Sequence, residues 1–296
     1  MKKITSLLLS LTVVLGVFCA CVHRQDPDQV SVPDTTLTEF PILELVQEIT
    51  LESVEEITQE ITQEHTEAPV ENTFYLVLGD SIAYGSGLTN PKEACYGKIV
   101  ADTNGYDYVN HSVPGHTTAD LINRLKDEEV AADIEKADII NISIGGNDFL
   151  KSDVKQLMTD CLVNKDYTKL NKIAENFYNN LCDIIDIINS HNEDAVILVQ
   201  TLYNPQEDFL RTAYQMGADR INDKIAKYNS ENPGEIVIVD VGKALGADMA
   251  NYAADKVHPS AKGNEKIART VLNKLYDLKL GSSTKPVIAV KGKDKK

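Results

Sequence analysis

The chain has 296 residues, of which 43% are apolar and 25% charged, enough to bury one full-sized core and too apolar for a wholly disordered protein. Its formal net charge is −16, and between Val22 and Thr73 thirteen Asp or Glu residues face a single Arg, so most of the excess sits in that segment. With no basic stripe to neutralise phosphates, nucleic acid is disfavoured as a partner.

At the N-terminus, Lys2 and Lys3 precede an apolar run from Leu7 to Phe18 that ends in small residues, so residues 1–20 read as an export signal. The run is short for a membrane span. The order Phe18-Cys19-Ala20-Cys21 resembles a bacterial lipoprotein signal, which implies lipidation of Cys21, because Ala20 suits the residue before a cleaved bond and Phe18 does not. The expected location is extracytoplasmic, tethered to the outer face of the cell membrane. An ordinary secreted leader that contains cysteines is the competing reading. Residues 21–72 read as an acidic linker punctuated by Pro27, Pro33, Pro41 and Pro69, with an Ile-Thr-Gln-Glu theme repeated at Ile57–Glu60 and Ile61–Glu64. Partial helical spacing there leaves a partner-binding helix as the alternative to a hydrated stalk.

From Thr73 short apolar runs alternate with longer amphipathic ones. The runs predict strands over Phe74–Leu78, Tyr108–Asn110, Ile139–Ile144, Ala195–Gln200 and Ile236–Asp240. Helices are predicted over Lys92–Thr103, Ala119–Leu125, Ser152–Val163, Tyr167–Ser190, Phe209–Glu231 and Ala261–Leu278. Continuous Val/Ile/Leu runs separated by helices mean strands buried on both faces, hence an α/β fold: a three-layer α/β/α sandwich around a five-stranded parallel sheet, over residues 73–280. Within it Cys95, Cys161 and Cys182 lack paired spacing, which argues against zinc and leaves one disulfide or three free thiols open. Residues 281–296, with five lysines, read as a frayed basic tail.

In an open parallel sheet, ligands bind at the carboxyl ends of the strands, so the residues just after each run carry the chemistry. The first run ends in Gly79-Asp80-Ser81, where a glycine permits a tight bend and exposes the serine hydroxyl. After the second comes Asn110-His111-Ser112-Val113-Pro114-Gly115-His116, in which Gly115 offers a bare backbone N–H. The third is followed by Gly145-Gly146-Asn147-Asp148, with an amide donor suited to a developing oxyanion. Before the last helix stands Asp255-Lys256-Val257-His258-Pro259. Pro259 keeps His258 out of helical geometry, and a spacing of three lets the carboxylate reach Nδ1, leaving Nε2 as a base. Taken singly, each segment is an ordinary cap, turn or surface loop; together they supply nucleophile, base and oxyanion donors.

The four segments, in this order and at strand ends, resemble the SGNH/GDSL hydrolase family in its bacterial extracellular branch, over about Phe74 to Leu278. The resemblance implies a serine ester hydrolase without cofactor or metal. Ser81 would be the nucleophile, His258 the general base and Asp255 its orienting carboxylate. The backbone N–H groups of Ser81 and Gly115, with the Asn147 amide, would form the oxyanion hole. Ser112 stands where relatives often carry glycine. Two rivals fail on spacing: the nucleophile elbow lacks its second glycine, since Ala83 occupies that place, and Gly79 to Gly87 lacks the Gly-Lys-Ser/Thr end of a phosphate loop. The expected partner is a small-molecule, lipid or acylated-glycan ester, with carbohydrate O-acetyl esterase and lysophospholipase or lipase both open, and a non-catalytic surface-anchored binding protein as the reading from another class. The stretch Phe149–Asn192 is expected to roof the pocket. The sequence leaves the oligomeric state open.

Overall fold

In the computed structural model, which describes residues 72–206 and 210–281, the Tyr-Leu-Val-Leu run becomes strand β1 (Phe74–Gly79), buried from Tyr75 onward. A strand with no polar face must be covered on both sides, and β1 duly lies inside the sheet. The strands that follow are β2 (Asp107–Asn110), β3 (Ile139–Ser143), β4 (Val196–Gln200) and β5 (Val237–Val239). Their order is β2-β1-β3-β4-β5 and all pairs are parallel.

Alternation along β1 splits the core. Leu76 and Leu78 face one layer with Ile140, Ile142 and Phe177, whereas Tyr75 and Val77 face the other with Ile139, Leu198 and Val271. Helices α4 (Thr118–Arg124), α5 (Glu128–Ile134), α8 (Thr168–His191) and α9 (Leu210–Glu231) cover the first; α3 (Tyr96–Asn104), α10 (Val241–Leu245) and α11 (Ala261–Asp277) cover the second. In α8 the buried residues Leu170, Ala174, Phe177, Leu181 and Ile188 recur at helical spacing, the stripe that a sheet-packed helix requires. The remaining helices are short: α1 (Ser81–Tyr84), α2 (Pro91–Ala94), α6 (Gly146–Leu150) and α7 (Val154–Thr159).

The sheet therefore has the expected strands, and the differences lie in the helices. The helix predicted over Lys92–Thr103 is broken at Cys95, whose extended backbone separates α2 from α3. The break is held from far away, because the side-chain oxygen of Asn264 on α11 accepts the Tyr96 N–H at 3.0 Å. The Ser152–Val163 segment starts at Val154, where Asp153 caps it, and ends in a wider turn over Asp160–Asn164. Helix α5 has only Val130 and Ile134 as apolar anchors, too few to make a periodic signal. Asp240, assigned to the fifth strand, instead caps α10 through the Lys243 N–H. Cys95, Cys161 and Cys182 are all free thiols. The leader with Cys21 and nearly all of the linker and basic tail lie outside the described residues.

The chain leaves β1 toward β2 on one side and passes from β3 to β4 on the other. The loops after β1 and β3 diverge, and a crevice opens at the carboxyl ends of these two strands.

Candidate active site

Three strand-end loops and the loop before α11 form this crevice. At the end of β1, Gly79 adopts φ +145°, and a Cβ there would lie 2.1 Å from the Ser143 carbonyl oxygen, so only glycine lets β1 pass β3 this closely. The next N–H, of Asp80, donates to that same carbonyl at 3.0 Å. Asp80 then caps α1 by accepting the Ile82 N–H at 2.9 Å, which puts Ser81 on the first helical residue with its hydroxyl toward the crevice and its own N–H without an acceptor among the described residues.

The His258 loop is a tight excursion between Tyr252 and Pro259, which form an antiparallel bridge. Lys256 turns the chain with φ +56°. One oxygen of Asp255 accepts the N–H groups of Val257 and His258 at 2.9 and 3.0 Å, and the other lies 2.7 Å from His258 Nδ1. That leaves Nε2 pointing out of the loop, 2.9 Å from Ser81 Oγ. Desolvation pushes Asp255 up, but the hydrogen bonds from the His258 ring and from the Val257 and His258 N–H groups outweigh it and bring the carboxyl down to about 2. An anionic carboxylate on Nδ1 fixes a proton there, so Nε2 is free to take the serine proton.

The loops after β2 and β3 are fastened to each other and to β1. The Val113 N–H donates to Gly79 O at 3.0 Å, and Asn147 Nδ2 donates to His116 O at 2.9 Å and, at 3.5 Å, toward Asp80. Asp148 joins the same fastening by accepting the Thr118 N–H at 3.0 Å and the Thr118 hydroxyl, which in turn accepts from Asn180 at 2.8 Å. Gly115, at φ +85°, has open space where a Cβ would sit, and its N–H has no protein acceptor among the described residues. It stands beside the Asn147–His116 contact without lining the cavity itself. Ser112 is buried, and its hydroxyl has no hydrogen-bond partner among the described residues.

Ser81, Asn147 and His258 border a cavity of about 210 Å³, open at its mouth. Most of its wall is apolar, from Phe149, Leu202, Pro205, Tyr214, Val241 and Val257. Only Phe149 and Leu150 of the 149–192 stretch reach it, which corrects the expectation that this stretch forms the roof; α9 and the chain after β4 supply that wall, because α8 is drawn down onto the sheet by its own apolar stripe. Sequence patterning gave no sign of three further residues. Tyr203 donates its hydroxyl to Val257 O at 2.8 Å and so supports the His258 loop. Gly87 approaches His258 closely enough that a Cβ would lie 2.9 Å from that of the histidine. Asp80, though part of the Gly-Asp-Ser segment, is only 3% exposed, and its burial, reinforced by Asp148, pushes it up to about 7 against the Ile82 N–H that favours its charge.

The described residues contain no cluster of three or more His, Cys, Asp or Glu able to hold a metal ion. The arrangement is suited to passing a proton from a hydroxyl to an imidazole beside an apolar cavity, with N–H groups free to meet a negative oxygen.

Comparison with known proteins bears on the family and the fold. The model of the GDSL-like Lipase/Acylhydrolase family matches residues 77–266. A Bacillus subtilis (strain 168) protein, the uncharacterized protein YpmR, is 26% identical over 223 residues, covering 70% of this chain and 83% of its own. Among solved structures, the lipase Lip_vut3 from a goat rumen metagenome superposes with a TM-score of 0.56 at 20% identity, over 67% of this chain and 95% of that one. The extracellular lipase of Streptomyces rimosus gives 0.53 at 21% identity, over 68% and 99%. At these identities the two structures speak for the shared fold.

Proposed function

The chain belongs to the GDSL-like lipase/acylhydrolase family and is an ester hydrolase, and we propose that it works through an acyl-serine intermediate on esters whose acyl chain enters the apolar cavity. The observation that carries this reading is the relay from Ser81 Oγ to His258 Nε2 at 2.9 Å and from Nδ1 to Asp255 at 2.7 Å.

Ser81 Oγ attacks the ester carbonyl carbon while its proton passes to His258 Nε2. The carbonyl oxygen becomes an oxyanion, met by the N–H groups of Ser81 and Gly115 and by the Asn147 amide. Collapse breaks the bond to the alcohol oxygen, which leaves with the proton from Nε2. Water then attacks the acyl-serine, gives a proton to Nε2, and Ser81 Oγ departs with that proton as the carboxylic acid is freed. Asp255 stays anionic throughout and stabilises the imidazolium. His258 must reach the leaving oxygen, so the alcohol lies toward the more open loop, where the side chains of His258 and Asp255 are 24% and 45% exposed. The acyl chain takes the enclosed apolar side. A cavity lined mostly by apolar side chains favours chains of several carbons over acetyl.

The enzyme would act outside the cytoplasm, with residues 1–20 removed, Cys21 lipidated and residues 21–72 spacing the domain from the membrane. This part rests on the leader sequence, and the single change Cys21→Ala is expected to move the full-length protein from the membrane fraction to the medium. Hydrolysis of p-nitrophenyl esters of increasing chain length by wild type and Ser81→Ala tests the chemistry. The variant is expected to fall to background, and a fluorophosphonate should label Ser81 in the wild type only. Equal rates for the two proteins would replace this reading with a surface-anchored binding protein.

A further inference from the structure

The cavity wall contains a polar group that the acyl-transfer chemistry leaves unused. Gln200, the last residue of β4, lines the cavity and is 2% exposed. Its Nε2 donates to Asn141 Oδ1 at 3.0 Å, and Asn141 Nδ2 donates to the Tyr75 hydroxyl at 2.8 Å. This chain of amides crosses from β4 to β1 through an otherwise apolar layer and ends at the Gln200 side-chain oxygen, which is buried and has no hydrogen-bond partner among the described residues. An amide oxygen withdrawn from water and left unpaired costs free energy that an apolar side chain of the same size would not. Two other polar side chains of the wall are already engaged: the Thr201 hydroxyl bonds Asp240 and the Gly242 N–H, and the Tyr203 hydroxyl bonds Val257 O.

We propose that Gln200 is a specificity residue whose free amide end hydrogen-bonds a hydroxyl carried on the acyl chain, so that the preferred substrates are esters of hydroxylated acids. This rests on the serine ester hydrolase reading above. The ligand that matches the wall has an apolar body, to meet Phe149, Leu202, Pro205 and Tyr214, and one neutral polar group. Among the described residues no Lys or Arg lines the cavity, so these offer no counter-charge to a second carboxylate or a phosphate on the chain. A hydroxyl can donate to the amide oxygen or accept from the amide nitrogen, and so suits either orientation of the side chain. A plain chain of the same length would leave the amide unpaired on the way to the transition state, which is how a site built around a hydrogen bond rejects the analogue that lacks it.

The test is a ratio. Methyl esters of linear C4 to C10 acids, each unsubstituted and with a hydroxyl at successive carbons, are assayed by release of acid. For wild type, kcat/KM at one hydroxyl position is expected to exceed that of the plain ester by about tenfold or more. In Gln200→Leu and in Gln200→Met, which keeps the length, the ratio should fall to about one, on the scale of losing one hydrogen bond. Because both rates come from the same preparation, the ratio does not depend on how much of a variant is folded. No preference in wild type, a preference that survives both variants, or a preference only for hydroxyls on the alcohol portion would overturn the proposal. Ser81-dependent hydrolysis without a Gln200-dependent ratio removes this inference alone; absence of any Ser81-dependent hydrolysis removes the enzyme reading with it.

Discussion

His258 Nε2 lies 2.9 Å from Ser81 Oγ across a sequence separation of 177 residues. The contact has backing on both sides. Gly87, in the turn that follows Ser81, presses against the His258 Cβ and the Ala253 Cβ, and Tyr203 holds the carbonyl of Val257. The serine sits on the rigid end of β1, so the histidine loop is built up to meet it, and Asp255 is the residue that shapes that loop through its bonds to Val257 and His258. Such support matters because small displacements of a catalytic pair cost large factors in rate.

Asp255→Asn is expected to keep the loop, since an amide oxygen can still accept the two N–H groups, but to lose the anion that holds the proton on Nδ1. We expect kcat/KM to fall about 10²-fold, less than the ~10⁴ reached when such a carboxylate is fully enclosed, because this one is half-exposed and water can take its place in part. Steady-state kinetics with an unchanged rate would remove Asp255 from the proton relay.

Replacing Asn147 by Ala removes an amide that borders the cavity and that, in the free enzyme, donates to His116 O and toward Asp80, partners it must exchange for the oxyanion. Loss of about 2.7 to 4 kcal/mol of transition-state stabilisation corresponds to a fall of about 10²- to 10³-fold in kcat. The fall should appear in kcat with little change in KM, and the fold should persist with a loss of about 1 kcal/mol from the missing loop contact. An effect confined to KM would assign Asn147 to ground-state binding.

Asp80 gives stability a pH dependence whose sign can be worked out. Its carboxyl is raised to about 7 in the folded protein from 3.8, so between these values the unfolded chain gives up its proton while the folded one holds it. Stability from this group therefore falls as pH rises from about 4 to about 7 and is level above that. Asp80→Asn cannot ionise and keeps the cap on Ile82. The variant's advantage in Tm should be small at pH 4.5 and several times larger at pH 8. A Tm difference independent of pH would mean that Asp80 is not held protonated.

Two glycine variants separate packing from conformation. In Gly79→Ala the new methyl would meet Ser143 O at 2.1 Å at φ +145°, so β1 and β3 must part, and a loss of at least about 3 kcal/mol in chemical denaturation is expected. Gly115→Ala has open space around the Cβ at φ +85° and should lose only the left-handed penalty of about 1 to 2 kcal/mol. Equal losses for the two would show that contact with β3 is not what demands glycine at position 79.

The alternation of Phe74–Leu78, Ile139–Ile144 and the later apolar runs with amphipathic helices was enough to reach a buried parallel sheet, because side-chain periodicity is a local property of the chain. So was the kind of chemistry, since Ser81, Asn147, Asp255 and His258 each stand where a parallel sheet presents its loops. Other features arise only between residues distant in the chain. The break at Cys95 depends on Asn264, 168 residues away from Tyr96. The raised Asp80 depends on burial beneath the crevice, and the unpaired end of Gln200 appears only once β4 lies beside β3 and the cavity wall closes over it. Local pattern selects the elements and the order of the strand ends; distances, burial and missing partners are set by packing, because each is a relation between surfaces that the chain brings together only when folded.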